Sequence, residues 1–298
     1  MAERIAVIGS GGIGGVIAEA AHAAGHEVTM CVRTPFERLV VDAPEGPAEV
    51  PVSVATDPGA LGGVDWIVLT TKVHDVPSTA PWLRELDDGR TPLVVVQNGV
   101  AHRESVAELR LQAPVLPALI YVGAERTSPG RVVRRSPATV QVPAGDLGSR
   151  FVSMLAGSAL KLRETHDFHT AAWRKMLTNV APNPITALTL RRLDVLADAE
   201  VQELCAGILT EAIAVARAEG ASLAQQDADQ VLADYTARMP PTNGTSMLYD
   251  RIAGLPLEHE NITGALVRAA DRHGIPVPLN RTLLTLLRAI KPHPLPHA

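Results

Sequence analysis

The sequence predicts an α/β fold class, a doubly wound parallel sheet in the N-terminal part followed by a C-terminal all-α domain. Three observations predict it. Short β-branched runs alternate with helical segments through the first half, the pattern that builds a parallel sheet from βαβ units. From about Asp167 the texture changes to long segments of helical period with almost no strand signal. A glycine-rich turn joins the first predicted strand to the first predicted helix. A length of 298 residues suits two domains, placed at 1–166 and 167–298.

The predicted strands are Arg4–Ile8, Glu27–Val32, Val50–Ala55, Trp66–Thr70, Leu93–Val96 and Val115–Ile120. Most are continuous apolar runs, as expected where helices cover both faces of a sheet. Two alternating runs within Arg131–Val142, with Pro129-Gly130 as turn signal, read as antiparallel additions at the sheet edge. In the second half, Val201, Leu204, Ile208, Ala212 and Val215 recur at steps of three and four and define one helix, with Gly220 as its stop. Another helix is predicted over about Glu260–His273, stopped by Gly274, and a last one over about Thr282–Ile290. The proline-rich tail Lys291–Ala298 reads as loose.

Composition narrows the function. Aromatic residues make up only 3%, too few for base-stacking platforms, and a net charge of −5 without a dense Lys/Arg block argues against nucleic acid as a partner. The first apolar stretch ends at Gly9, too short for a signal core or a membrane span, and the charge balance suits a cytoplasmic enzyme. Cys31 and Cys205 match neither a disulfide framework nor a CxxC motif and read as small buried hydrophobes. His166 and His169 flank Asp167 without further ligands at zinc-like spacing, so no metal site is expected.

The chemistry begins at Arg4–Ile8, which feeds Gly9-Ser10-Gly11-Gly12-Ile13-Gly14 and then an apolar helix. This is the G-x-G-x-x-G arrangement of a Rossmann domain. Gly9 makes the tight turn, Gly11 lets a pyrophosphate approach the backbone, and Gly14 lets helix and strand pack closely. The helix N-terminus offers unpaired N–H groups to the phosphates. At the end of the second strand an NAD enzyme carries a carboxylate for the ribose hydroxyls, but this chain reads Val32-Arg33-Thr34. Arg33 can pair with a 2′-phosphate, which favours NADPH, although a solvated surface arginine is the plain alternative. Lys72 and Asn98 follow two later strands, on the edge where ligands bind, and are expected to face the nicotinamide half of the cofactor.

Lys175, Asn179 and Asn183 stand four residues apart and form one polar line if the segment is helical. Met176, Leu177, Val180 and Ile185 flank that line, which is either a buried functional face or a solvated stripe. Pro182 and Pro184 must kink or interrupt the helix near Asn183.

With these residues in view, the chain resembles the ketopantoate reductase (2-dehydropantoate 2-reductase) family almost end to end. The resemblance is carried by Gly9–Gly14, Thr71-Lys72, Gln97-Asn98-Gly99, the Lys175/Asn179/Asn183 line with Pro184, Asn243-Gly244-Thr245-Ser246-Met247, Glu258, and Asn261 with Gly264. It implies reduction of ketopantoate in pantothenate biosynthesis, with Lys175 donating the proton to the alcohol oxygen and Asn179 and Asn183 binding substrate. It also implies that Ser246 and Asn243 hold the substrate carboxylate or hydroxyl, that Asn98 lies between cofactor and substrate, and that Glu258 contacts the nicotinamide end. Two stretches depart from the family. Leu190-Arg191-Arg192-Leu193 stands where another substrate-binding Asn is usual, and Val132-Val133-Arg134-Arg135 replaces a His-Gly-rich strand. Arg191 or Arg192 then either serves a second acidic group or faces water. The expected partners are a small 2-oxo acid and a second copy of the chain in a homodimer, with no membrane. A reductase of another carbonyl compound, or a non-catalytic NADPH-binding sensor, are the competing readings.

Overall fold

The computed structural model describes residues 1–293, so the tail expected to be loose lies, from Pro294 onward, outside the described residues. Two compact units are present. One comprises Met1–Asn98 and His102–Phe168, and the other comprises Gly99–Ala101 together with the chain from His169.

The first unit opens with β1 (Arg4–Ile8), α1 (Gly12–Ala23) and β2 (Glu27–Cys31). After these come β3 (Leu39–Ala43), β4 (Gly46–Val50), β5 (Ser53–Ala55), β6 (Trp66–Leu69), α2 (Ala80–Leu86), β7 (Leu93–Val96) and the single turn α3 (Glu104–Ala107). It closes with β8 (Val115–Tyr121), β9 (Ala124–Ser128), β10 (Arg131–Arg134), β11 (Thr139–Pro143), α4 (Asp146–Met154) and β12 (Lys161–Thr165). Eight strands form the main sheet in the order β12-β11-β8-β7-β6-β1-β2-β5. The neighbours from β8 to β5 are all parallel, and β1 lies between β2 and β6. The chain builds outward from β1 in one direction and then in the other, so the ends of β1 and β6 border the switch point where ligands of such sheets bind.

Two expectations need correction. Val50–Ala55 is not one strand: Val50 ends β4 and Ser53 begins β5, because Pro51 between them has no N–H for a ladder. Of the two runs in Arg131–Val142, β11 does add to β8 antiparallel, but β12 pairs outside it. The other run, β10, leaves the main sheet altogether. It joins a four-stranded sheet of order β4-β3-β10-β9. That sheet packs on α1, where a Cβ on Gly15 would stand 2.6 Å from Val132. Arg134, only 7% exposed, fastens the two by pairing with Glu19 of α1 at 3.3 Å and with Glu45 at 3.1 Å. Burial pushes the Glu19 carboxyl up despite the opposing pull of Arg134.

The second unit is helical: α5 (Phe168–Val180), α6 (Pro182–Thr189), α7 (Ala199–Ala218), α8 (Gln225–Ala233), α9 (Ser246–Ile252), α10 (Thr263–His273) and α11 (Pro278–Ala289). Its core gathers Trp173, Leu177, Ile208, Ala212, Leu266 and Leu284. The apolar stripe of α7 buries Ile208, Ala212 and Val215 as its spacing predicts, and Gly220 follows with φ +91°. Gly274 ends α10 in the left-handed conformation. Each unit holds one cysteine in its core, Cys31 and Cys205, with burial pushing each thiol up to about 12.

Candidate active site

In the first unit the turn after β1 has the geometry a dinucleotide needs. Gly9 adopts φ +112°, and a Cβ there would fall 2.9 Å from the Thr70 hydroxyl oxygen. That hydroxyl sits 3.1 Å from the carbonyl of Ile8 and 3.0 Å from that of Gly9, so the end of β6 pins the turn. Gly14 packs so closely that a Cβ would lie 2.0 Å from the Gly9 carbonyl oxygen, whereas a Cβ on Gly11 would meet nothing. The backbone is therefore open at the position where a pyrophosphate must approach. Gly11 caps α1 without a side-chain bond, and no acidic residue occupies the first helical turn. Ser10 and Ile13 complete the loop. The Thr71 hydroxyl beside it is buried without a hydrogen-bond partner among the described residues. These features fit a bound dinucleotide.

Arg33 follows β2 and is exposed, as a residue reaching for a phosphate must be. Lys72 and Asn98 follow β6 and β7 and are partly buried. One residue between them was not expected to matter. The side-chain amide of Gln97 donates to the carbonyl of Thr71 at 2.9 Å, and its oxygen accepts from Ser105 at 2.8 Å. His102, also buried, bonds to the Gln97 carbonyl at 3.0 Å. The loops that carry Lys72 and Asn98 are thus laced together. The sequence marked Gln97 only as part of a motif and gave no sign of the bonds.

In the second unit the polar line is a buried face. Lys175 on α5 is 8% exposed and Asn183 on α6 is 2% exposed. The amide nitrogens of Asn179 and Asn183 are buried without hydrogen-bond partners among the described residues. Unpaired donors of this kind are costly unless something else binds them. The break between α5 and α6 falls at Ala181, as the prolines require. Thr186 of α6 bonds to Thr245 at 2.7 Å, and Thr245 in turn caps α9 by accepting from Leu248. That bond brings the exposed Ser246 and the half-buried Asn243 alongside the helix that carries Asn183.

Burial lowers the Lys175 pKa from 10.5 to about 8, and the negative charge of Glu258 opposes part of that fall. Glu258 is itself 5% exposed. An ammonium with a softened hold on its proton, next to idle amide donors, can bind and protonate an oxygen that gains negative charge.

The arginines that depart from the family pattern are absorbed locally. Arg191 pairs with Asp194 at 2.8 Å and with Asp198, and Arg192 donates to the carbonyl of Thr242 at 2.9 Å. His169 bonds to the carbonyl of Glu219 at 2.9 Å.

A glycine turn at the switch point of a parallel sheet, joined in one chain to a helical unit with a buried lysine, defines a nicotinamide-dependent oxidoreductase. Residues 5–159 match the family described as ketopantoate reductase PanE/ApbA, and residues 167–291 match its C-terminal domain. The chain belongs to that family. It is 37% identical to the 2-dehydropantoate 2-reductase of Caulobacter vibrioides over 96% of this chain and 98% of the relative. It is 36% identical to the 2-dehydropantoate 2-reductase of Mycobacterium tuberculosis, covering 99% of this chain and 100% of the relative. Among solved structures, the 2-dehydropantoate 2-reductase of Geobacter metallireducens superposes with a TM-score of 0.90 at 25% identity, over 96% of this chain and 99% of the other. A dimeric ketopantoate reductase from Staphylococcus aureus gives a TM-score of 0.85 at 25% identity, over 96% and 98% of the two chains. No helix among the described residues is long and apolar enough to cross a membrane.

Proposed function

We propose that the protein reduces 2-dehydropantoate (ketopantoate) to pantoate with NADPH, in the service of pantothenate synthesis. Residues 1–166 hold the cofactor through Gly9–Gly14, Arg33, Lys72 and Asn98, and residues 167–298 hold the substrate. Bound NADPH supplies a hydride to the keto carbon. The carbonyl π electrons move onto oxygen, and Lys175 protonates the resulting alkoxide, leaving a neutral amine that regains its proton from solvent. Asn179 and Asn183 donate to substrate oxygens, Ser246 and Asn243 take the carboxylate or hydroxyl, and Glu258 serves the nicotinamide end while favouring the charged lysine. The observation that carries this reading is the buried Lys175 on one face with the buried amide nitrogens of Asn179 and Asn183, which have no hydrogen-bond partner among the described residues. As in the Staphylococcus aureus relative, the working form is a homodimer, and the compartment is the cytoplasm.

The test is consumption of NADPH with ketopantoate as acceptor, compared between the parent and Lys175→Ala. Removing a general acid lowers kcat by about 10²–10⁴ while leaving NADPH affinity nearly unchanged. A folded Lys175→Ala protein with near-parental kcat removes Lys175 from the chemistry.

A further inference from the structure

The break between α5 and α6 leaves a backbone debt. In an uninterrupted helix the carbonyl of Thr178 accepts from the N–H four residues on, but that residue is Pro182, which has none. The gap lies between Asn179 and Asn183, in the backbone segment that sets where both amides point. The hydroxyl of Tyr235 fills it, donating to the Thr178 carbonyl at 2.7 Å. Tyr235 reaches this point from an unusual turn. Beyond α8 the chain winds one π turn over Asp234–Arg238, closed by the N–H of Met239 on the carbonyl of Asp234 at 3.1 Å. Such wide turns cost regularity and often occur where a side chain must be aimed for function. The ring of Tyr235 packs against the helical core.

We infer that Tyr235 is a positioning residue for the substrate, holding the break between α5 and α6 so that the amides of Asn179 and Asn183 converge. The inference rests on the reading of those two amides as substrate-binding. Tyr235 touches neither cofactor nor substrate and acts only through the Thr178 carbonyl. Burial holds its phenol well above the ordinary range, and the nearby Asp234 charge pushes in the same direction, so the hydroxyl stays a donor across the working pH range. Substrate affinity should depend on it more than the chemical step does, because Lys175 lies a turn further from the break.

The test is a double-mutant cycle between Tyr235→Phe and Asn179→Ala, with Asn183→Ala alongside and thermal unfolding as the check on folding. Losing a hydrogen bond that orients two donors should raise the KM for ketopantoate about tenfold in Tyr235→Phe, with kcat and the KM for NADPH changing less than about twofold. In the Asn179→Ala background the added effect of Tyr235→Phe should fall clearly below about tenfold, because one of the two groups it orients is gone. A purely structural tyrosine would lower the unfolding midpoint without a specific rise in the KM for ketopantoate, or give additive kinetic effects, and either overturns the inference. So does an unchanged KM in Tyr235→Phe when Asn183→Ala raises it. If neither Asn179→Ala nor Asn183→Ala changes the KM, the substrate assignment of those amides fails, and the positioning role falls with it.

Discussion

Glu258 lies buried within electrostatic reach of Lys175, and its charge raises the lysine's proton affinity against a larger loss of solvation that lowers it. Lys175 settles at a pKa of about 8, so the ammonium predominates at neutral pH while releasing its proton more readily than an ordinary lysine.

Activity should therefore fall on the alkaline side. The acid form is needed, so kcat/KM for ketopantoate should be level below the Lys175 pKa and decline above about 8. Glu258→Gln removes the charge that favours the protonated lysine, so the descending limb should move to lower pH. The linkage to stability has the opposite sign. A lysine whose folded pKa is depressed costs stability at pH values below about 8, and that cost is relieved as pH rises towards the ordinary 10.5. Profiles of kcat/KM against pH for the parent and Glu258→Gln check the first two statements. A limb that stays in place in the variant would show that Glu258 does not act on the titrating group.

The exposed Arg33 stands where a ribose-binding carboxylate is usual, which makes cofactor choice a local question. Arg33→Ala should weaken NADPH binding about ten- to a hundredfold, the worth of charge-assisted hydrogen bonds to a phosphate, and leave NADH binding almost unaltered. Titration of reduced-nicotinamide fluorescence measures both constants without turnover. Equal losses for the two cofactors would sink the 2′-phosphate assignment.

Gly11 and Gly12 are neighbours with different constraints. A Cβ on Gly12 would lie 2.7 Å from the carbonyl carbon and oxygen of Ala124, which are backbone atoms and cannot swing aside. Gly12→Ala should cost about 1–3 kcal/mol of stability through this overpacking, visible as a fall of several degrees in Tm. Gly11→Ala adds its methyl to open space at an ordinary backbone conformation, so its Tm should match the parent while NADPH binding weakens. Matching Tm values for the two variants would mean that the second sheet does not constrain α1.

Most strands of the main sheet were legible because buried strands carry uninterrupted apolar runs, as in Leu93–Val96, whereas the largely exposed edge strand Lys161–Thr165 carries no such run and was missed. The second sheet was not legible. Ala124–Ser128 is largely exposed and mostly polar, Gly46–Val50 is largely exposed and opens on Gly-Pro, and β10 finds its parallel partner β3 far back in the chain, a pairing no local pattern announces. At the site, the four-residue spacing of Lys175, Asn179 and Asn183 showed the shared face. Spacing could not show that the face is buried, nor that Glu258 comes to rest beside it. Pro182 advertised a missing N–H in the sequence, but which group repays the carbonyl depends on where α8 ends in space.

The two cysteines give the protein a chemical stethoscope. Cys31 sits in the sheet unit and Cys205 in the helical unit, each 2% exposed and each with a thiol held far from its reactive thiolate form. Neither should take up an alkylating reagent while its surroundings are closed, so the native enzyme should tolerate storage without a reductant. When either unit opens, its own thiol becomes labelled, and the mass of the modified peptide says which one. An experimenter can thus follow the opening of each half of the molecule in the unaltered chain, with no engineered probe.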